Sequence, residues 1–364
     1  MSSKIEIANP DNLQNTKEKS YCELEVESLE QLLQMLLPTE RGTRGENFDR
    51  PRDEWELIYS YSISNKKPLY GSLDDWVFRG QPQFEYNLVP KLFRQHGEHF
   101  PFLIQKNPLQ KEIELLQHLE KTLSLLSKSF FSSDYLAQMK KCWNYQLMLD
   151  VSTGESRYVW PYNNLDEAFS YLQHIGLPTR YLDWSLNPLI ALYFACNVLE
   201  PQNDFVSLYA LNMDNFKLRS KSIEFIKPSY LNNDRISAQK GLFTIVRDLM
   251  KDQNETSSRM VLSPTEYLHT YEQDIECLEL DSSIKIPALY KIKIPYRLTN
   301  VILKYLDHLG INGSSIFPGH QGIGQYVQDL VKIQIGKSYL DEGMDSPNGQ
   351  VEEMVRDIKA RKKN

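Results

Sequence analysis

Residues 24–37 place apolar side chains at helical spacing and the run stops at Pro38, which predicts a first helix ending there. Residues 38–52 are rich in Arg, Gly, Asp and Glu and read as an exposed loop before an apolar and aromatic run that begins at Trp55. Asp75-Trp76-Val77-Phe78-Arg79-Gly80 has the β-branched and aromatic content of a short strand. Gly80 and Pro82 break that strand, so Arg79 is expected at its end. Residues 109–148 carry a long amphipathic pattern, with Glu112, Glu114 and Lys121 among recurring Leu and Ile, as in helices that pack on one another.

A further helix opens at Asp166-Glu167-Ala168 and ends near Gly176, glycine being favoured in the left-handed turn that closes a helix. Residues 177–185 read as a polar and aromatic linker, and residues 188–200 as a helix with Leu189, Leu192, Tyr193 and Cys196 on one face. Residues 205–211 alternate as a strand should, and 242–246, 288–294 and 326–335 are further strand candidates, so strands dominate the latter half. Residues 251–258 form a polar surface loop, and the charged segment 336–364 includes a helical pattern over 350–362. The organisation expected is an α+β chain in three parts. Residues 1–69 are a helical and loop extension, 70–335 a domain with a mixed or antiparallel β core and a helical insertion at about 105–150, and 336–364 a peripheral tail.

Length changes this picture little: 364 residues suit one elaborated domain or two modest ones. Apolar residues at 41% and charged residues at 24% exclude global disorder. The longest apolar stretches fall short of the roughly 20 residues that span a bilayer, and Met1-Ser2-Ser3-Lys4-Ile5-Glu6 turns polar and acidic at once, unlike a secretory signal. The expected location is the cytoplasm, with no membrane partner. Cys22, Cys142, Cys196 and Cys277 lie far apart without a Cys-x-x-Cys pair, as expected of reduced thiols. A formal net charge of −7 argues against a general nucleic-acid coat and leaves room for a local basic groove.

Chemistry concentrates at a few positions. Arg79 sits between aromatic residues and before Gly80; its planar fork matches a phosphate or carboxylate, and glycine permits close approach of a ligand. A buried ion pair with Asp74, Asp75 or another carboxylate is the structural alternative. His174, Thr179, Arg180, Asp183 and Ser185 fall across a helix end and a turn, a place that suits a nucleotide, although Asp183 could equally brace the turn before Asn187-Pro188. In residues 234–243 a strand-like approach delivers Gln239, whose amide both donates and accepts and so suits an amide or base edge, an ordinary turn bridge being the other reading. Residues 314–322 have the glycine and proline content of a tight loop, with His320 as another titratable group. Dinucleotide-fold, P-loop, zincin and nucleophile-elbow motifs are all missing, and nothing marks a metal site.

Phe78-Arg79-Gly80 followed by Leu88-Val89-Pro90-Lys91-Leu92-Phe93-Arg94 resembles the signature of the FRG domain. Gln173-His174-Ile175-Gly176-Leu177-Pro178-Thr179-Arg180-Tyr181-Leu182-Asp183-Trp184-Ser185 is similar to the family's next segment, with Ala191-Leu192-Tyr193-Phe194-Ala195 in place after it. Residues 235–243 and 317–322 follow in order, so the resemblance covers roughly residues 70–330. Tyr181 stands where leucine is commoner, and Gly319-His320-Gln321 replaces a more acidic loop.

The layout in turn resembles ADP-ribosyltransferases, and that resemblance implies NAD as substrate. It implies catalytic roles for Arg79, His174, Asp183 and Gln239, and NAD binding by Arg79, Gly80, Thr179, Arg180 and Ser185. No Glu-x-Glu or Gln-x-Glu pair occurs at Gln239-Lys240-Gly241, so the usual carboxylate is absent there and Glu112, Glu114 or Asp183 would have to replace it. The activity so implied is transfer of ADP-ribose to a macromolecular acceptor, protein or nucleic acid. The biological role it implies is that of a bacterial toxin or phage-defence effector, with an antitoxin or regulatory partner protein. The alternative is a non-catalytic nucleotide or nucleic-acid sensor using the same pocket, with Arg79 and Arg180 on phosphate and Trp184 as a stacking face.

Overall fold

Trp76 and Phe78 enter one hydrophobic cluster while Val77, between them, enters another, the behaviour of a strand covered on both faces. A computed structural model of the chain describes residues 22–36, 76–94, 108–125, 131–142, 158–161, 165–197, 204–213, 223–228, 234–246, 248–250 and 289–341. Its strands are β1 Cys22–Glu25, β2 Trp76–Gln81, β3 Tyr158–Trp160, β4 Leu182–Ser185, β5 Phe205–Asn212, β6 Ile223–Ile226, β7 Gly241–Val246, β8 Asp248–Met250 and β9 Leu289–Pro295. Its α-helices are α1 Leu29–Leu36, α2 Pro108–Leu125, α3 Ser133–Cys142, α4 Asp166–His174, α5 Pro188–Cys196, α6 Asp234–Ala238, α7 Thr299–His308, α8 Gly313–Ile316 and α9 His320–Asp341.

Seven strands form one open sheet in the order β1-β9-β5-β2-β4-β7-β6, and β3 pairs with β8 in a small separate ribbon. Every pairing is antiparallel except β1 with β9, which run parallel. The chain is therefore a mixed α+β structure, as its patterning implied. β1 and α1 come from the N-terminal 69 residues, yet β1 is an edge of this sheet and Leu29, Leu32 and Leu33 of α1 lie in the core with β9 and α7. Among the described residues no helix is long and apolar enough to cross a membrane.

Three apolar clusters hold the sheet. One packs α1, α5 and α7 on one side; a second gathers Val77, Trp184 and Leu242 with the turn Lys91–Phe93; a third joins α2 and α4 to Tyr181, Phe243 and Ile245. α5 is buried nearly all round. Pro188 stands in its first turn and Asn187 caps it by accepting from the Leu189 amide at 2.9 Å. A Cβ added at Gly80 would lie 2.0 Å from the Ala191 carbonyl oxygen and 2.5 Å from the Ala195 nitrogen. The space that Gly80 leaves thus admits the backbone of α5, whereas the sequence suggested approach of a ligand. α9 is tied to the same helix by Asp329, which accepts from the Tyr193 hydroxyl and from the Gly313 amide, both at 2.8 Å.

Several elements differ from the sequence reading. Residues 326–335 lie within α9 and not in a strand. Their β-branched composition suggested extension, but the inward residue is Asp329, and Ile323, Val327 and Val331, four residues apart, stay exposed on one helix face. The approach to Gln239 is the short helix α6, not a strand. Residues 314–322, expected as a loop, include α8, started by an Asn312 capping box, and the first turn of α9. The stretch 177–185 is no mere linker, for its last four residues are a central strand. Arg79 lies inside β2, which continues to Gln81 against β5. The helical pattern of 350–362 and the surface loop of 251–258 lie outside the described residues.

α2, part of the expected insertion, is anchored by charge. Arg180 donates through Nε to Glu112 Oε1 at 2.8 Å and through Nη2 to Oε2 at 2.5 Å, and both side chains are 0% exposed. Nη1 reaches the Val246 carbonyl at 3.3 Å. Removing one partner from such a pair leaves a charge buried without compensation. Glu112→Leu is therefore expected to lower the unfolding free energy by about 3–5 kcal/mol in urea titration. The exposed Lys121→Gln on the same helix should stay within about 0.5 kcal/mol of the parent.

Candidate functional site

β2 and β4 are neighbours in the sheet, but they register through one pair only, Phe78 opposite Ser185. By contrast β2 follows β5 from Trp76 to Gln81, and β4 follows β7 from Leu182 to Ser185. Beyond Phe78 and Ser185 the two strands part, and a cavity of about 400 Å³ lies at the opening. Its walls come from β2, β4, α4, α5, α6 and the turn Lys91–Phe93 with Arg94.

Arg79 bridges the parted strands. Its Nη1 donates to the Asp183 backbone carbonyl at 2.8 Å and lies 3.6 Å from the Asp183 carboxylate oxygen Oδ2. Its Nε is buried and has no hydrogen-bond partner among the described residues. The Asp183 carboxylate, whose side chain is 54% exposed, is held from the other side by Gln173 Nε2, at 2.9 Å and 2.8 Å from its two oxygens. The Gln173 amide is itself oriented. Thr179 donates its hydroxyl to Gln173 Oε1 at 2.5 Å and accepts from the Tyr181 amide at 3.2 Å, which fixes the oxygen and nitrogen ends of the glutamine.

The local fold explains the convergence. α4 ends in a left-handed turn at Gly176, with φ of 87°, and the Leu177 amide returns to the Leu172 carbonyl at 3.0 Å. The turn Lys91–Phe93 docks onto this corner through the Leu92 amide on the Thr179 carbonyl at 3.1 Å, and through Lys91 Nζ on the Gly176 carbonyl at 2.7 Å. That docking brings Lys91 and Arg94 to the wall beside Asp183. Arg94 spends its Nε on the Val89 carbonyl at 3.1 Å, and among the described residues its two Nη groups meet no acceptor. Arg235, from α6, donates to the His174 carbonyl at 3.3 Å and lies over the Phe317 ring at 4.8 Å.

The electrostatics are those of a site short of anions. Arg79, Lys91, Arg94 and Arg235 line the cavity, and among the described residues Asp183 is the one carboxylate lining it. Desolvation followed by the neighbouring Arg79 charge holds the Arg94 pKa below its ordinary value, and Asp183 opposes the shift. Lys91 is lowered by desolvation and then by Arg94, and Arg235 by desolvation, with Asp183 again opposing each. Burial and then Arg235 push the His174 imidazole pKa below its ordinary value, and its Nδ1 is buried with no partner among the described residues. Phe194 and Ala191 of α5 and Phe243 are apolar members of the lining. Phe194 is fixed edge-on against Phe317 at 5.9 Å.

Arg79, Gly80, His174, Asp183, Ser185 and Gln239 thus converge on one cavity, while Thr179 and Arg180 do not line it. Thr179 is buried behind Gln173, and Arg180 is committed to Glu112. That same pair withdraws Glu112 as a substitute carboxylate. Ser185 is occupied in bracing the turn into α5: its hydroxyl donates to the Gln239 carbonyl at 2.8 Å and accepts from the Asn187 amide at 3.0 Å. Gln239 leans its Nε2 on the Ile316 carbonyl at 3.4 Å and keeps Oε1 without a partner among the described residues. Trp184 offers no stacking face, being 2% exposed with its indole on Thr244. Sequence reasoning passed over Gln173, Lys91, Arg94 and Arg235 as site residues, although each stands within or beside a motif it quoted. Among the described residues no group of three or more His, Cys, Asp or Glu side chains is arranged to hold a metal.

Residues 74–204 match the family model of the FRG domain. The match takes in Arg79, Lys91, Arg94, Gln173, His174 and Asp183, and stops before Arg235 and Gln239. A search of curated proteins and a search of solved structures each gave no match.

The lowered His174 pKa has a consequence for stability. The unfolded chain takes up a proton as pH falls through 6.5 while the folded imidazole resists it, so the contribution is complete above that value and shrinks below it. The melting temperature should therefore fall more steeply between about pH 7 and 5 in the parent than in His174→Gln; parallel curves would contradict the assignment.

Proposed function

We propose that this protein binds a phosphate-bearing nucleotide in the cleft between β2 and β4, and that NAD is the nucleotide it uses. The observation that carries the reading is the like-charge pair of Arg79, whose one hydrogen bond goes to a neutral carbonyl, and Arg94, whose Nη groups meet no acceptor among the described residues, with Asp183 as the one carboxylate among the described lining residues. Guanidinium groups in that state gain most from an anion with several acceptor oxygens, and a phosphate supplies them in matching geometry. The volume of about 400 Å³ falls within the range of small-molecule sites. In this reading Arg79, Arg94 and Lys91 hold phosphate, and the Phe194 wall with Gln239 Oε1 receives the planar end of the ligand.

NAD enters through the resemblance of the layout to ADP-ribosyltransferases, and the cleft suits such chemistry in one respect. Breaking the bond between ribose and nicotinamide leaves the electron pair on nicotinamide and positive charge on the sugar, which a carboxylate stabilises. Asp183 is the carboxylate at hand, in place of the glutamate missing near Gln239. An acceptor nucleophile, on protein or nucleic acid, then forms the new bond and gives up its proton. The second reading, a nucleotide sensor without turnover, is favoured by the engagement of Asp183 with Gln173 and Arg79.

Calorimetric titration with NAD and ADP-ribose tests binding, and nicotinamide release tests turnover. Arg94→Gln and Arg79→Gln should each weaken binding roughly 10- to 100-fold, the worth of a charge-assisted hydrogen bond. A folded parent that binds neither nucleotide, or variants that bind as the parent does, would remove the reading. Binding without nicotinamide release, in the presence of lysate acceptors, would select the sensor.

A further inference from the structure

Asp183 is anomalous in an anion site, since a carboxylate repels the phosphate that its neighbours attract. Its geometry is not that of a counter-ion clamped to one cation. Arg79 makes its hydrogen bond to the Asp183 backbone carbonyl at 2.8 Å, and the carboxylate stands at 3.6 Å, beyond hydrogen-bond length. Gln173 meets both oxygens with one amide group, and the Tyr181–Thr179–Gln173 relay fixes that amide. A carboxylate has about four lone-pair sites, so acceptor positions remain directed away from Gln173, and the side chain is 54% exposed at the cavity wall. The orientation of Asp183 is thus preset while part of its accepting capacity is unspent.

Resting on the nucleotide reading above, we propose that Asp183 is a specificity-determining residue that accepts hydrogen bonds from the ribose hydroxyls of the ligand. The cleft then takes ribonucleotides in preference to deoxyribonucleotides and bare polyphosphates. The ligand class follows from the juxtaposition: acceptors must face Arg79 and Arg94, and donors without negative charge must face Asp183 close by. Phosphate alone supplies the first and offends the second. A ribose phosphate supplies both, its vicinal hydroxyls matching the two oxygens of one carboxylate. Gln173 acts here as a positioning residue, touching Asp183 and not the ligand.

Binding of ADP, its 2′,3′-dideoxy analogue and inorganic diphosphate to the full chain separates this idea from the one beneath it. The parent should bind ADP at least about tenfold more tightly than the dideoxy analogue, as expected for hydrogen bonds to a charged acceptor. Asp183→Asn should reduce that ratio to within about twofold and strengthen diphosphate binding. Gln173→Leu should reduce the ratio while leaving diphosphate affinity unchanged, an outcome that a merely structural role for Gln173 would not give. Equal binding of ADP and the dideoxy analogue by the parent overturns the ribose assignment and leaves the phosphate site standing, as does a ratio that survives in both variants. Failure of the parent to bind either nucleotide or diphosphate removes both proposals together.

Discussion

The parting of β2 from β4 is the constraint on which the remainder of the site depends. Two central strands of a sheet ordinarily saturate each other's backbone groups, and here they do so at one position, Phe78 with Ser185. The opening leaves the Asp183 carbonyl to be satisfied by other means, and the Arg79 guanidinium does it. An arginine thereby performs the work of a missing ladder bond, and its other donors meet no acceptor among the described residues. Because it is braced in this way, its position is set by the sheet and not by the ligand, which is the condition for a preorganised anion site.

The parting is held open from both sides. α5 presses its backbone against Gly80, so β2 cannot shift towards it without collision. On the other strand, Trp184 is fixed to Thr244 of β7 and Ser185 to the Gln239 carbonyl, which commits β4 to β7. Two small residues and one indole therefore decide that the sheet divides here. The corner after α4 then closes over the opening, bringing Gln173 onto Asp183 and receiving the turn that carries Lys91 and Arg94. Electrostatic strain among those cations is the cost of this arrangement, and Asp183 offsets part of it while an anionic ligand would offset more.

Much of this was legible in the sequence wherever a residue's environment is dictated locally. The α+β class, the turn at Gly176 and the helix that begins at Pro188 followed from spacing, cap and turn residues. Arg79, His174, Asp183 and Gln239 were picked out by motifs near glycines, and their meeting at one cavity is supplied by the fold. What could not be read was set by distant partners. Leu182-Asp183-Trp184-Ser185 looks like a linker because it is short and carries a carboxylate, and only pairing with β7 makes it a strand. The residues of α9 have strand-like composition, yet Asp329 turns inward to Tyr193 and Gly313, a contact invisible until α5 and α8 are placed.

Arg79 and Arg180 show the same limit within one pair of residues. Each lies in a motif with aromatic residues close in sequence, and each was expected to grip phosphate. Arg180 meets Glu112 from α2, and with both side chains fully buried and joined by two hydrogen bonds, no donor geometry is left over for a ligand. Arg79 spends its hydrogen bond on a backbone carbonyl and stands 3.6 Å from the half-exposed Asp183 carboxylate, so its charge is only partly offset and its attraction for an anion persists. The difference lies in whether a carboxylate or a carbonyl arrives from over 60 residues away. A sequence names the guanidinium, but the partner that long-range folding supplies decides whether it becomes a brace or a binding group.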